Sequence, residues 1–200
     1  MSAREEVLSR VRAALAEADR TDVPVPRSYR SRPARLSPDA LVDLFVARVE
    51  DYRATVTRCS AADVIARISE VLPVGARVVL PAGLPWDVPD GIVDDGLSAT
   101  DLDSFDAVLT AATVGIAETG TIVLTHGSGE GRRAITLVPD LHVCVVHAGQ
   151  IVADVPDAFG VLDPVRPQTW VSGPSATSDI ELNRVEGVHG PRTLHVLLLS

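Results

Sequence analysis

Residues 54–80, ATVTRCSAADVIARISEVLPVGARVVL, decide the fold class because two periodicities alternate within them. The opening ATVTRC and the closing RVVL are short strand candidates. Between them, Val64, Ile68 and Val71 recur at helical spacing. Ser60 precedes that run and is the predicted cap of the helix. This stretch therefore predicts a strand–helix–strand unit, which is typical of a parallel sheet.

A second predicted helix precedes this unit. Ser37 is a capping serine, Pro38 suits the first helical position, and an apolar stripe continues to about Asp51. Helix, strand, helix and strand thus follow one another along the chain. This order predicts a substantially parallel sheet that helices cover on both faces.

The second half of the chain has a different pattern, in which apolar strand candidates follow one another with short turns between several of them. Short turns favour antiparallel pairing. The predicted fold class is therefore α/β, with a mixed parallel and antiparallel sheet flanked by helices. The strand candidates of this half are Ala107–Ala112, Thr121–Leu124, Ala134–Val138, Leu141–His147 and Leu194–Leu199.

The N-terminal part of the chain reads as a separate segment. Residues 3–18 predict a helix with one apolar stripe, and residues 20–36 are rich in proline and arginine, which indicates an extended linker. The linker is either a plain tether or a segment whose arginines reach a partner or an anion. The predicted organisation is an N-terminal helix and linker over 1–36 and an α/β domain over 37–200.

The charge composition excludes several function classes. The formal net charge is −9, and arginine supplies all 18 basic residues. A chain this acidic does not suit broad binding to a nucleic-acid backbone. Without lysine, it has neither Schiff-base chemistry nor the lysine of a phosphate-binding P-loop.

The cysteines and the N-terminus predict a cytoplasmic protein. The two cysteines, Cys59 and Cys144, form no CxxC pair, and they are too few for an iron–sulfur cluster or a structural zinc site. We expect both to be buried, reduced thiols. The N-terminus has no apolar signal core, and the longest apolar runs are too short to span a bilayer. The histidine spacing predicts no metal site.

The sequence GIAETGT, residues 115–121, places the carboxylate of Glu118 between two apolar strands. Gly120 permits a sharp turn that would present this carboxylate, and Thr119 adds a hydroxyl beside it. Glu118 is therefore a candidate general base or nucleophile. A carboxylate that only accepts hydrogen bonds from backbone amides in a tight turn fits the pattern equally well.

A glycine-rich stretch, HGSGEGRR, follows at residues 126–133. Its backbone N–H groups could face an anion, and Arg132 or Arg133 could hold a carboxylate or phosphate. The stretch lacks the spacing of a dinucleotide-binding loop, and an ordinary hairpin loop would look similar.

Two further loops carry candidate ligand-binding residues. SGPSATSDIE, residues 172–181, is a hydroxyl-rich turn of the kind that can bind an anion, although a simple capping turn remains the alternative. VEGVHGP, residues 185–191, holds a histidine between glycines. We expect both loops and the Glu118 turn to meet in one pocket at the carboxyl edge of the sheet. The candidates in the two loops are Gly173, Ser175, Thr177, Asp179 and His189.

IAETGTIVL, GRRAITLVP, SGPSATSDIEL and VEGVHGP, in this order and at these separations, resemble the LUD domain of the lactate utilization protein C family. The resemblance covers roughly residues 60–200 and is strongest over 115–190. It implies a fold related to the sugar-phosphate isomerases and CoA-transferases. It also implies a role in oxidising L-lactate to pyruvate beside two partner proteins that carry the iron–sulfur clusters, with no cofactor in this chain.

Two hypotheses of different classes follow. In the first, the chain is a cluster-free subunit that binds a small anionic ligand or a partner while electrons pass elsewhere. In the second, it is a free-standing isomerase or acyl-transfer enzyme that acts on a small phosphorylated or carboxylated substrate through Glu118. Related CoA-transferases use a glutamate near glycine as nucleophile, and Glu118 is similar to it by local pattern alone.

Overall fold

The computed structural model describes residues 2–18, 22–26, 36–174 and 190–200. Its contacts divide the chain into two units, Met1–Ala34 and Arg35–Ser200. The described part of the first unit holds helix α1, Ala3–Ala14, which is shorter than the predicted 3–18. A reciprocal capping box between Ser2 and Glu5 begins this helix.

The second unit is an α/β body with two sheets. Its helices are α2 (Pro38–Asp51), α3 (Val64–Val71), α4 (Ala99–Leu102) and α5 (Val155–Phe159). Two 3-10 helices cover Arg133–Thr136 and Ala148–Gln150. The strands are β1 (Thr55–Cys59), β2 (Val78–Leu80), β3 (Ile92–Val93), β4 (Ala107–Ala111), β5 (Val114–Ile116), β6 (Thr121–Leu124), β7 (Leu141–His147), β8 (Ile151–Val152), β9 (Thr169–Val171) and β10 (Thr193–Leu199).

The larger sheet has six strands in the order β1-β10-β7-β4-β2-β3, and all of its pairings are parallel. The smaller sheet has four strands in the order β8-β5-β6-β9. In it, β6 pairs antiparallel with β5 and β9, while β5 and β8 are parallel. The predicted α/β class is confirmed, with a mostly parallel sheet flanked by helices.

The predicted antiparallel pairing is wrong for β4, β7 and β10, which are parallel neighbours. The chain leaves the large sheet after β4 to build β5 and β6, and it leaves again after β7 to build β8 and β9. Because these segments lie between strands of the large sheet, each connection is long enough to join two parallel strands. The prediction was wrong because it placed strands that belong to two different sheets next to each other in a single sheet.

Two local predictions are also wrong. Ala134–Val138 is not a strand, because the 3-10 helix Arg133–Thr136 occupies most of it. The Thr136 hydroxyl donates to the carbonyl of Arg133, a local bond that competes with strand pairing. Ser60 does not cap α3, which begins at Val64, but its hydroxyl donates to the carboxylate of Asp63 at 2.7 Å in the preceding turn.

The core lies in layers on both faces of the large sheet. On one face, Val143, Val145 and Leu197 pack with Val64 and Ile68 of α3. On the other face, helix α2 and the small sheet cover the strands, and α5 lies on the far side of the small sheet. Among the described residues, no helix is both long and apolar enough to cross a bilayer.

Candidate functional site

A cavity of about 320 Å³ lies between the two sheets. The amino-terminal ends of β7 and β10 form one wall through His142 and Leu194, and β9 forms the opposite wall. The 3-10 helix that begins at Arg133 contributes a third side. We call this space the inter-sheet cavity. It lies at the amino-terminal ends of these strands, whereas the sequence predicted a pocket at the carboxyl edge.

Arg133 supplies the cationic group of this cavity. Its side chain is exposed and has no ion-pair partner among the described residues. The neighbouring Arg132 is different, because its guanidinium donates twice to the carboxylate of Asp94, at 2.7 and 2.8 Å. That pairing holds the pKa of Asp94 below its ordinary value. Of the two arginines, Arg133 is therefore the one whose charge is available to an anion.

His142 is a polar residue of the cavity wall that the sequence analysis did not select. Its side chain is buried, and its Nε2 is hydrogen-bonded to the Thr110 hydroxyl at 2.8 Å. Burial lowers the pKa of His142 to about 4, because the charged imidazolium would lose its hydration. The imidazole is therefore neutral at physiological pH. The one signal in the sequence is a histidine near the start of a strand that is otherwise apolar up to its last residue, His147.

The buried His142 predicts a loss of stability on mild acidification. The unfolded state takes up a proton as the pH falls below 6.5, whereas folded His142 resists protonation down to a pKa of about 4. The contribution of neutral His142 to the free energy of unfolding is therefore complete above pH 6.5. It is lost as the pH falls from 6.5 towards the folded-state pKa of about 4. We expect a loss of about 2 kcal/mol in the free energy of unfolding between about pH 7 and about pH 5.

Urea unfolding of the wild type and of His142→Gln across this range measures the effect. The difference between the two curves isolates His142, since the half-buried His195, whose pKa burial also lowers, is common to both proteins. If the free energies of unfolding of the two proteins changed with pH in the same way, His142 would not be the group responsible.

A chain of hydroxyl groups connects the Glu118 turn to the edge of the cavity. Thr119 and Thr121 are hydrogen-bonded at 2.8 Å, and Thr121 and Ser172 are hydrogen-bonded at 2.8 Å. Ser172 lines the cavity, whereas Glu118, Thr119 and Gly120 are not part of its wall. Glu118 is exposed at the turn between β5 and β6. The structure thus joins this turn to the cavity through hydrogen bonds and leaves the Glu118 carboxylate outside it.

Two glycines fix this arrangement against the end of α2. Gly120 has a φ of +59°, and a Cβ there would lie 2.6 Å from the carbonyl carbon of Arg48. Gly173 has a φ of +80°, and a Cβ there would lie 2.7 Å from the Cβ of Tyr52. Any larger side chain would push the turn or the cavity wall away from α2.

Four of the candidate residues lie outside the described residues: Ser175, Thr177, Asp179 and His189. The residues on either side of the 175–189 segment, Pro174 and Gly190, both line the cavity together with Gly173 and Arg133. The predicted convergence of the two loops in one pocket therefore stays a prediction, and the Glu118 turn is not among the residues that line this cavity.

A buried carboxylate that was not among the predicted site residues organises the glycine-rich stretch. Glu130 is 5% exposed and accepts hydrogen bonds from the hydroxyl of Thr113 and from the backbone N–H and hydroxyl of Thr125. Its Oε2 also accepts from the backbone N–H of Gly127 at 3.4 Å. Glu130 therefore connects the loop after β6 to Thr113, the residue before β5, through hydrogen bonds. The charged residue between glycines was visible in the sequence, but its donors were not.

The two cysteines do not share a site. Cys59 packs on the α3 side of the large sheet, and Cys144 packs on the α2 side. Both thiols are free, and burial raises the pKa of each, that of Cys144 to about 12. Neither is a thiolate at neutral pH, and together they do not fit an iron–sulfur cluster. Within the described ranges, no group of three or more His, Cys, Asp or Glu side chains could hold a metal ion.

The fold and the cavity define an α/β protein of two sheets, with a small cavity between them whose wall holds both apolar and polar side chains. The family model described as "LUD domain" matches residues 98–199, which include β4 to β10 and the whole wall of the inter-sheet cavity. The chain belongs to the LUD-domain family.

Its relatives include proteins named lactate utilization protein C. The one from Deinococcus radiodurans is 46% identical over 177 residues, which are 84% of this chain and 84% of that protein. The one from Halalkalibacterium halodurans is 33% identical over 94 residues, 43% of this chain and 40% of that protein. A crystal structure at 1.70 Å of a DUF162 family protein from Deinococcus radiodurans has a TM-score of 0.72 and 40% identity, covering 83% of this chain and 100% of that chain.

Proposed function

We propose that this chain is a cytoplasmic, cluster-free subunit of a lactate-utilization system. In this system it binds a small anionic ligand in the inter-sheet cavity, while two iron–sulfur partner proteins oxidise L-lactate to pyruvate. The observation that carries the proposal is Arg133, a cation without an ion-pair partner among the described residues, at the wall of a small cavity. The name and 46% identity of the Deinococcus radiodurans relative support the lactate system.

The cavity suits a ligand of the size and charge of lactate or pyruvate. At about 320 Å³ it lies at the small end of the range for ligand pockets. A guanidinium can bind a carboxylate through two parallel hydrogen bonds. The Ser172 hydroxyl and the neutral His142 would then meet an uncharged hydroxyl or keto oxygen. A single available arginine also gives local attraction for an anion in a chain of net charge −9.

The cysteines support the proposal that electron transfer takes place in the partner proteins and not in this chain. Because Cys59 and Cys144 lie on opposite faces of the large sheet with raised pKa values, this chain offers no thiolate pair to a cluster. Electron transfer through iron–sulfur clusters would then belong to the partners. This chain would bind the ligand, and ligand binding would control its association with the partner proteins.

Calorimetric titration with L-lactate, pyruvate and a sugar phosphate tests the ligand. We expect one of the two carboxylates to bind the wild type, and Arg133→Ala to weaken that binding at least about tenfold, since a charge-assisted hydrogen bond contributes roughly 1.5–3 kcal/mol. Arg58→Ala is the matched control, because Arg58 is exposed, pairs with Asp43 on another part of the surface and does not line the cavity. Equal affinities for the two variants would contradict the anion site.

Growth on L-lactate tests the system. Deleting the gene in its own organism should abolish growth on L-lactate while leaving growth on other carbon sources, and affinity purification of the chain should bring down iron–sulfur proteins. Complementation with Glu118→Gln should restore growth, because Glu118 lies outside the cavity. Failure of this variant, together with turnover by the isolated wild-type chain, would instead support the free-standing enzyme that acts through Glu118.

A further inference from the structure

The wall of the inter-sheet cavity holds one polar side chain that is almost fully buried and only half paired. His142 is 1% exposed, and its Nε2 is hydrogen-bonded to the hydroxyl of Thr110 at 2.8 Å. Its other ring nitrogen, Nδ1, has no hydrogen-bond partner among the residues that the structure describes. Within the same ranges, every solvent-excluded side-chain nitrogen or oxygen has a partner. Nδ1 therefore reaches accessible space, and the space beside His142 is the inter-sheet cavity.

Whether Nδ1 donates or accepts a hydrogen bond depends on the residues behind Nε2. Thr110 of β4 is the register partner of Cys144 of β7, which lies two residues after His142 and on the same face of that strand. The Thr110 hydroxyl donates to the Sγ of Cys144 at 3.6 Å, and this thiol donates to the carbonyl of Ala111 at 3.9 Å. The three side chains thus form a chain of hydrogen bonds that ends on a backbone carbonyl.

The direction of this chain follows from its carbonyl end. A carbonyl only accepts, so the proton between Cys144 and Ala111 belongs to the thiol. The Thr110 hydroxyl has a single proton, which it donates to Sγ. The proton between Thr110 and His142 then belongs to Nε2, and Nδ1 of the neutral ring carries a lone pair. The opposite tautomer would take the Thr110 proton away from Sγ and leave an unpaired N–H at Nδ1.

We propose that His142 makes the inter-sheet cavity selective for 2-hydroxy acids over 2-keto acids, with Nδ1 accepting the hydroxyl proton of the ligand. Thr110 acts through His142 as a positioning residue, since it is fully buried, does not line the cavity and holds the ring in this tautomer. The inference rests on the proposed function, because Arg133 would bind the carboxylate of the same ligand.

The chemistry of the two ligands explains the selectivity. L-Lactate would donate its hydroxyl proton to Nδ1, whereas the keto oxygen of pyruvate would place its lone pairs against the lone pair of the ring. A site that hydrogen-bonds a hydroxyl rejects an analogue without one, because the buried polar group stays unpaired. Burial lowers the pKa of His142 to about 4, so the ring stays neutral and Nδ1 stays an acceptor at physiological pH. The cavity would thus distinguish two anions of similar size and equal charge.

Calorimetric titration of the full-length protein with L-lactate, pyruvate and propionate measures this selectivity. Propionate has the carboxylate but neither a hydroxyl nor a keto oxygen. We expect the wild type to bind L-lactate roughly tenfold more tightly than either of the other two. In ¹⁵N NMR spectra of the ligand-free protein, we expect Nε2 of His142 to carry the proton and Nδ1 to have the chemical shift of an unprotonated ring nitrogen.

Variants of Thr110 test the positioning of the ring. Thr110→Val keeps the shape of the side chain but removes the acceptor of Nε2, so the proton should move to Nδ1 and the preference for L-lactate over pyruvate should disappear. Thr110→Ser keeps the hydroxyl and should retain both the tautomer and the preference. Thr57→Val is the matched control, because the Thr57 hydroxyl is hydrogen-bonded at 2.9 Å to His195, which does not line the inter-sheet cavity. It should leave the preference unchanged.

Three results would overturn the inference. The first is a proton on Nδ1 of His142 in the ligand-free wild type, and the second is equal affinity of the wild type for L-lactate and pyruvate. Neither measurement depends on the folding of a variant. The third is a Thr110→Val protein that prefers L-lactate as strongly as Thr57→Val does.

Arg133→Ala separates this inference from the proposed function. If the wild type bound L-lactate and pyruvate equally well and Arg133→Ala weakened both, the anion site would stand and only the selectivity through His142 would be wrong. If neither ligand bound the wild type, both would be wrong.

Discussion

Replacing Glu130 with alanine is expected to lower the free energy of unfolding by roughly 3 kcal/mol or more, since each buried donor left without an acceptor costs about 1–3 kcal/mol. Three donors lose the carboxylate together: the hydroxyl of Thr113, and the N–H and hydroxyl of Thr125. The two hydroxyls keep only their bond to each other, at 2.9 Å, which needs one donor and leaves the second hydroxyl and the N–H without this acceptor. The N–H of Gly127 loses a longer bond. Urea unfolding followed by circular dichroism measures the change.

Two variants accompany this measurement. Glu70→Ala removes an exposed glutamate that pairs with Arg67 on the surface of α3, so it should change stability by less than about 1 kcal/mol. Glu130→Gln keeps one acceptor oxygen and should fall between the other two. If Glu130→Ala proved as stable as Glu70→Ala, the loop would not depend on the carboxylate.

Replacing Phe45 with alanine is expected to cost about 3–5 kcal/mol, the usual range for truncating a buried aromatic side chain. Phe45 is fully buried on α2, in the layer between that helix and the two sheets. It packs closely over Gly115 of β5, where a Cβ would lie 3.0 Å from the phenyl ring. The truncation therefore leaves a void at the place where the two sheets share one core.

Phe159→Ala is the matched control for Phe45→Ala. Phe159 is 57% exposed, and its ring centroid lies 5.9 Å from that of Trp170. Its removal should cost less than about 1 kcal/mol. Chemical denaturation of both variants gives the comparison, and a Phe45→Ala cost no larger than the control would show that the two sheets do not rely on this contact.

Most strands of the large sheet could be predicted from local patterns in the sequence. Leu141–His147 and Thr121–Leu124 were predicted with the bounds that the structure has, because each is an uninterrupted run of strand-forming residues. The partition into two sheets was not predicted. Strands such as Ile151–Val152 are too short to show a period, and their pairing depends on residues far away in the chain.

The candidate site was predicted in part for the same reason. Arg133 and Gly173 were selected as polar or glycine residues in loops, and both line the inter-sheet cavity. His142 and Glu130 were not selected, since each takes its role from a threonine hydroxyl on a different strand. A single sequence shows a polar residue among apolar ones, but it does not show which partner meets it. The relation to the sugar-phosphate isomerase and CoA-transferase folds stays a prediction.

The place of β10 between β1 and β7 bears on how the protein is made. Strand β10, Thr193–Leu199, fills an interior position of the large sheet and pairs with β1, which is synthesised well before it. Until residue 199 has left the exit tunnel, β1 lacks its neighbour and β7 has an open edge. Such edges invite pairing with other chains. Nascent copies should therefore expose these strand edges until β10 has been synthesised, and the sheet should close only after that strand has emerged.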